Sequence, residues 1–154
     1  MPKDTVELDH LSVAVKRYGK AKKLYEAALG AIGMTVNMDV GEACGFGANG
    51  EKILWLSKSK KATGGAHIAL RVHQRDLVSA FYDAALAAGA EDNGAPGPRP
   101  DYGPSYFAAF VHDLEGNNIE VVCYEKAASK KTSAAKKKSV AAPKKTSAAA
   151  KKRK

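Results

Sequence analysis

Apolar positions along this chain alternate between strand-like and helix-like spacing, and the sequence of spacings occurs twice. Residues 6–15 alternate with period two: Leu8, His10, Ser12 and Ala14 share one face, while Leu11, Val13 and Val15 share the other. Residues 20–32 carry Ala21, Leu24, Tyr25, Ala28, Leu29 and Ile32 at helical spacing, with Lys22, Lys23 and Glu26 outside the stripe. Gly30 and Gly33 suit the end of that helix. Three short strands are predicted next, at 34–39, 43–48 and 52–57, with Asn49-Gly50 as a hairpin turn between the last two.

A polar, Lys- and Gly-rich linker at 57–65 separates this unit from a second one in the same order. Residues 66–72 read as a strand and 75–88 as a helix burying Val78, Phe81, Tyr82, Ala85 and Leu86. A short strand near 90–93 precedes residues 94–105, whose four prolines predict an irregular loop rather than a sheet interior. Ordered loops of this length often carry function. Strands at 106–112 and 118–124, joined by the turn 113–117, complete the unit.

The two units superimpose without a gap at an offset of 57 residues. His10 in Asp9-His10-Leu11-Ser12-Val13-Ala14-Val15 then falls on His67 in Ala66-His67-Ile68-Ala69-Leu70-Arg71-Val72. Leu24-Tyr25-Glu26-Ala27-Ala28-Leu29 falls on Phe81-Tyr82-Asp83-Ala84-Ala85-Leu86. A duplicated strand–helix unit places its repeated histidines at equivalent positions about a pseudo-twofold axis. This makes a shared metal site the first hypothesis.

Charge divides the 154-residue chain in two. Residues 1–126 hold 14 Lys/Arg against 16 Asp/Glu, whereas residues 127–154 hold 11 Lys/Arg and no acid, so the overall +9 describes the tail rather than the body. The tail is Lys/Ala/Ser/Thr/Pro-rich, has no aromatic residue and repeats Lys-Lys-Thr-Ser-Ala-Ala at 130–135 and 144–149. With little to bury, it is expected to be disordered. Its composition resembles linker-histone tails, which implies non-specific nucleic-acid contact that weakens with salt. A solubilising extension without a partner is the alternative. Residues 151–154 read as a nuclear localisation patch in a eukaryotic setting. Otherwise the expectation is cytoplasmic: the charged first residues form no secretory signal, and no apolar run approaches the ~20 residues that span a bilayer. Cys44 and Cys123 form no CxxC pair and read as reduced structural thiols.

The tandem βαβββ order with a histidine opening each unit resembles the vicinal oxygen chelate superfamily, which includes glyoxalase I, bleomycin-resistance proteins, fosfomycin-resistance transferases and extradiol dioxygenases. The resemblance covers residues 5–125, with modules at about 5–57 and 66–125. It implies an α+β fold of tandem βαβββ modules, a curled mixed sheet around a central cleft, and an expected homodimer. In that family each module can give one metal ligand from its first strand and one from its last. Here those positions are His10, His67 and Glu120. Aligning the last strands through their turns puts Leu54 opposite Glu120, and Leu54 cannot bind metal; Glu51 lies three residues out of register. The implied cofactor is a divalent ion (Fe, Mn, Ni, Co or Zn), held by two imidazoles and a carboxylate with positions left open for an oxygenated small-molecule substrate. Such an ion acts as a Lewis acid on a developing oxyanion. Neutral imidazole is required, so binding weakens as pH falls toward ~6.

The missing fourth ligand departs from glyoxalase I. His, His, Glu is similar to the set in extradiol dioxygenases and fosfomycin transferases, although no potassium loop of the latter is evident. Tyr106 and His112 are candidates for an extradiol-type acid–base pair, and neither registers to a family motif. Phe46, Trp55, Tyr102 and Tyr106 are candidate pocket walls, with core packing as the alternative for each. Arg99, flanked by Pro98 and Pro100, is a candidate grip for a carboxylate or phosphate, with a solvated loop charge as the alternative. Asn117 and Asn118 serve the turn, and His73 ends its strand exposed. A lyase or isomerase of glyoxalase type and an extradiol-type dioxygenase both remain open. Outside the enzymes stand a metal-free, bleomycin-sequestering type of binding protein and a body tethered to nucleic acid by its tail.

Overall fold

A computed structural model describes residues 7–125; the start of the first predicted strand and the whole basic tail lie outside the described residues. Ten elements follow the predicted order. The first module holds β1 (Leu11–Val15), α1 (Tyr18–Gly30), β2 (Thr35–Asp39), β3 (Ala43–Gly47) and β4 (Leu54–Lys58). The second holds β5 (His67–Val72), α2 (Arg75–Ala87), β6 (Glu91–Pro98), β7 (Phe107–His112) and β8 (Asn118–Cys123). Each module forms its own four-stranded mixed sheet, in order β1-β4-β3-β2 and β5-β8-β7-β6. β1 and β5 run parallel to the last strands of their modules, and the other pairings are antiparallel.

One face of each sheet is covered by helix. Leu54 and Leu56 with α1 residues Leu24, Tyr25 and Leu29, and Ile119 and Val121 with α2 residues Val78, Phe81 and Ala85, belong to one continuous core. The two helices also pack against each other, so a single core joins the modules. Cys44 and Cys123 are buried free thiols within it. At the hairpin, Asn49 (φ 51°) and Gly50 (φ 86°) both adopt positive φ, the backbone of the twist-matched turn that this dipeptide favours.

The structure corrects the sequence reading at the proline-rich stretch. β6 continues through Gly94, Pro96 and Gly97 to Pro98 instead of giving way to a loop at residue 94. It is an edge strand bonded only to β7, with irregularities between Asp92 and Gly94 and between Gly94 and Gly97. An edge strand tolerates prolines because their missing N–H groups are needed by no neighbouring strand.

Asn117 does more than serve a turn. Asp113, 5% exposed, accepts from the Tyr25 hydroxyl of α1 at 2.8 Å and from the Asn117 side-chain amide at 2.8 Å. It also accepts from the backbone N–H groups of Glu115 and Asn117. The Asn117 side-chain oxygen in turn accepts from the Ala66 N–H, just before β5. This network ties the first module's helix to the turn and first strand of the second. Asp113→Ala strands the Tyr25 hydroxyl and three N–H donors in the interior. The expected cost is roughly 3 kcal/mol, read as a fall of roughly 1–2 M in the urea midpoint. Burial, then the charge and hydrogen bond of Asp113, push the Tyr25 phenol well above its ordinary value. A raised folded pKa contributes stability that is complete below the unfolded value of about 10 and is lost as pH rises beyond it. Urea titrations between pH 9 and 11.5 should show stability falling with pH, and falling less in Tyr25→Phe.

Candidate functional site

The face of each sheet that points away from the helices holds the repeated histidines. On the second module, His67, Ala69 and Arg71 of β5 alternate with the core residues Ile68 and Val72, and the first three are exposed. The ladder sets Ala69 beside Glu120 and, across β8, Phe110 beside Glu120. Glu120 is only 2% exposed, although its strand neighbours Ile119 and Val121 are buried against the helices. What covers it is polar and aromatic. The Tyr106 hydroxyl donates to Glu120 Oε1 at 2.5 Å, and His67 Nε2 stands 3.2 Å from Glu120 Oε2.

Tyr106 heads an aromatic wall. Tyr102 and Tyr124 meet its ring edge-on at centroid separations of 5.3 and 5.2 Å. The Arg71 guanidinium lies 4.8 Å from the centre of the Tyr124 ring. Burial first, then the hydrogen bond and charge of Glu120, push the Tyr106 phenol above its ordinary value, so it remains a proton donor across the neutral range. Arg71 and Tyr124 escaped the sequence reading. Their signal was parity: Arg71 is i+4 from His67 on a strand, and hence on the same face.

Arg99 is placed beside this face but is already engaged. Its guanidinium donates to the carbonyls of Ala95 at 2.7 Å and Pro98 at 3.3 Å, and lies 5.5 Å from the Phe110 ring centre. His112 shares the face through its pairing with Asn118, one ladder step beyond Glu120. His73 is exposed, 3.8 Å from Glu125.

The first module carries a different arrangement on the equivalent face. Ser12 pairs with Trp55 as Ala69 pairs with Glu120, and Gly45 pairs with Trp55 as Phe110 does with Glu120. Trp55, not Leu54, is therefore the counterpart of Glu120. Alignment through the turns slipped by one residue, which on a strand exchanges the faces. Leu54 is fully buried in the core. The indole of Trp55 lies over Gly45, with its N–H donated to the Lys52 carbonyl at 3.0 Å. Phe46 is no pocket wall: it is fully buried on the opposite face, 6.3 Å from the Tyr25 ring.

His10 does not join the other two expected ligands within one chain. It is exposed, its Nδ1 2.5 Å from Asp9 Oδ1, and it lines an open cleft of about 750 Å³ with Asp9, Glu51, Ile53 and Trp55. Among the described residues, no group of three or more His, Cys, Asp or Glu side chains is placed to hold a metal ion. The His67–Glu120 pair by itself fits two ligands of one ion: donors each about 2.1 Å from a shared centre, in adjacent positions, stand about 3 Å apart. Among the described residues of this module, no third His, Cys, Asp or Glu stands beside the pair.

Trp55 is the sole tryptophan, so its environment can be read directly. A methyl group at residue 45 would meet the indole at 2.9 Å. Gly45→Ala should displace the ring, shift the intrinsic fluorescence maximum and cost about 1–3 kcal/mol in chemical denaturation. The second-module site should be left unchanged.

Residues 7–121 match the family model described as the Glyoxalase/Bleomycin resistance protein/Dioxygenase superfamily. Among solved structures, a glyoxalase/bleomycin resistance protein from Albidiferax ferrireducens T118 is 21% identical with a TM-score of 0.65, over 77% of this chain and 97% of that one. A glyoxalase/bleomycin resistance protein/dioxygenase family enzyme from Burkholderia phytofirmans PsJN is 15% identical with a TM-score of 0.60, over 77% and 99%. A glyoxalase-related enzyme from Fulvimarina pelagi is 15% identical with a TM-score of 0.61, over 76% and 87%. No curated protein matches the chain. At these identities the solved structures speak for the fold, while the family model spans most of the chain, its matched segment running from before β1 into β8 and containing His10, His67 and Glu120. The chain belongs to the Glyoxalase/Bleomycin resistance protein/Dioxygenase superfamily.

Proposed function

We propose that this protein is a divalent-metal-dependent enzyme of glyoxalase or dioxygenase type that acts on a small oxygenated substrate at the outer face of its second module. The observation that carries the reading is the buried Glu120 carboxylate, met at its two oxygens by Tyr106 and by His67. A carboxylate taken out of water is costly unless it is paired, and such groups concentrate at functional sites. His67 and Glu120 would hold the ion. His10 of a second copy would complete the set in a homodimer, because the helix pairing within one chain turns the two histidine-bearing faces away from the shared core. Fe, Mn, Ni, Co and Zn all suit such donors, and the bound ion would polarise a substrate oxygen.

The chain's own residues supply the rest. Tyr106 keeps its proton across the neutral range and can direct it toward an oxygen of the substrate that turns toward Glu120. Tyr102, Tyr106 and Tyr124 form an aromatic wall along one side of the site, against which a planar or apolar part of a substrate can pack. Arg71, braced on Tyr124, favours substrates bearing a carboxylate or a polarised carbonyl.

A metal-free small-molecule binding protein is the second reading. It is favoured by the self-sufficiency of the His67–Glu120–Tyr106 cluster, which satisfies the buried carboxylate without a cation.

Metal content and calorimetric titration with Mn²⁺, Ni²⁺ and Zn²⁺ distinguish the two. Wild type should bind one ion per chain, and Glu120→Ala or His67→Ala should lose at least 100-fold in affinity. His10→Ala mixed with Glu120→Ala should recover about a quarter of the wild-type sites, since half the exchanged dimers carry one intact pocket. Equal, negligible binding by wild type and Glu120→Ala would overturn the metal reading.

A further inference from the structure

The folded body is mildly acidic overall, yet its cations are not dispersed. Of the 14 Lys and Arg in residues 1–126, eight fall in residues 16–23 and 58–61. The fold brings these two segments together. β1 and β4 are parallel and end level, with Val15 beside Lys58, and the Ser59 N–H donates to the Val15 carbonyl at 2.9 Å. Lys16 and Arg17 leave β1 at the point where residues 59–62 turn away from β4. Arg17, Lys20, Lys23 and Lys58 line one open cleft of about 510 Å³.

Local carboxylates neutralise only part of this surface. Glu42 pairs with Lys58, and Asp39 takes Lys22 at 2.6 Å. Arg17 donates to a neutral carbonyl, that of Leu114, and has no ion-pair partner among the described residues. Lys16, Lys20, Lys23, Lys60 and Lys61 are exposed and have no ion-pair partner among the described residues. Six cations without an ion-pair partner among the described residues, against one further carboxylate, Glu115, which accepts from the Lys16 backbone N–H at 3.0 Å, leave a positive field at one end of a body of net charge −2.

We infer that this end of the first module is a nucleic-acid docking surface that grips the phosphate backbone of a duplex without reading its sequence. The tail reinforces the choice of partner, with 11 further cations and no acid in 28 residues. A membrane surface is less suited, because interfacial binding needs a broad apolar face to insert, whereas the patch exposes only Met38 and Val40 as large apolar residues and the tail offers Val140 alone. A single strand is less suited as well. Tyr18 is the one aromatic residue lining the cleft, so it presents no succession of rings on which consecutive bases could stack. Body and tail then act as two linked contacts on one polyanion. This inference does not rest on the metal reading.

The test uses the full chain and a labelled 30-base-pair duplex of random sequence, titrated between 50 and 200 mM NaCl. Four patch residues are neutralised together as Lys20→Gln, Lys23→Gln, Lys60→Gln and Lys61→Gln. Four tail residues are neutralised in a second variant as Lys144→Gln, Lys145→Gln, Lys151→Gln and Lys152→Gln. All four patch side chains are exposed, so the thermal midpoint should stay within a few degrees of wild type. Each phosphate contact contributes about 0.9 to the slope of log affinity against log salt. The patch variant should therefore lose up to about 3.6 from that slope, making its affinity about 100-fold less sensitive over this range. Unchanged slope and affinity in the patch variant, with loss confined to the tail variant, would overturn the inference. So would absence of duplex binding by wild type, or patch-dependent binding to vesicles of phosphatidylcholine and phosphatidylserine without binding to duplex.

Discussion

One buried carboxylate holds the two halves of this molecule in register. Asp113 sits at the turn between β7 and β8 and accepts from Tyr25 of α1, from the Asn117 amide and from two backbone N–H groups. Burying an ion is tolerable only when its hydrogen-bonding capacity is filled with good geometry. That requirement fixes where α1 may lie against the second module far more narrowly than apolar contact can, since apolar burial is non-directional. Asn117 extends the constraint to the start of β5, and so to His67. The backbone N–H of Lys16 and the guanidinium of Arg17 bond to Glu115 and Leu114 of the same turn and brace it from the other side.

With the helices paired at the centre, each sheet has one face in the core and one face outward. The duplicated units have used the outward face differently. In the second module it carries a carboxylate with a histidine and a tyrosine; in the first, the equivalent place holds a tryptophan lying on a glycine. A carboxylate at Trp55 would have given two similar half-sites. Substituting a large ring excludes that, and it leaves His10 beside an aromatic, acidic cleft instead of beside a counterpart of Glu120. Pseudo-symmetry in the backbone has thus been kept while the chemistry has diverged. The divergence is confined to the face that core packing does not constrain.

The charge distribution follows the same separation of roles. Cations gather where β1 and β4 end, whereas Asp9 and Glu51 flank His10 at the opposite ends of those strands. The first module is in consequence strongly polar along its strands. A formal sum over the chain hides this, because acids elsewhere cancel the patch and the tail then outweighs both.

Much of this was legible in the residues. The offset of 57 gave the duplication, the element order and the equivalence of His10 and His67, because period-two and period-3.6 patterns survive in the face that must be buried. Cys44 and Cys123 as structural thiols followed from the lack of a CxxC pair, and Glu120 as the carboxylate of interest came with the family resemblance; that Tyr106 stands beside it is a finding of the structure. The sequence could not set the register of β4 against β8, since the second module spends seven more residues between its helix and its last strand and the turns no longer align. Nor could it show β6 as an edge strand able to keep its prolines, Phe46 on the buried side, or Arg99 spent on its own carbonyls. Local spacing determines which side chains share a face of one element. Only the tertiary structure decides which faces meet, because that depends on where a few buried polar groups find partners, and in this chain those partners lie some 90 residues apart, as Tyr25 and Asp113 do.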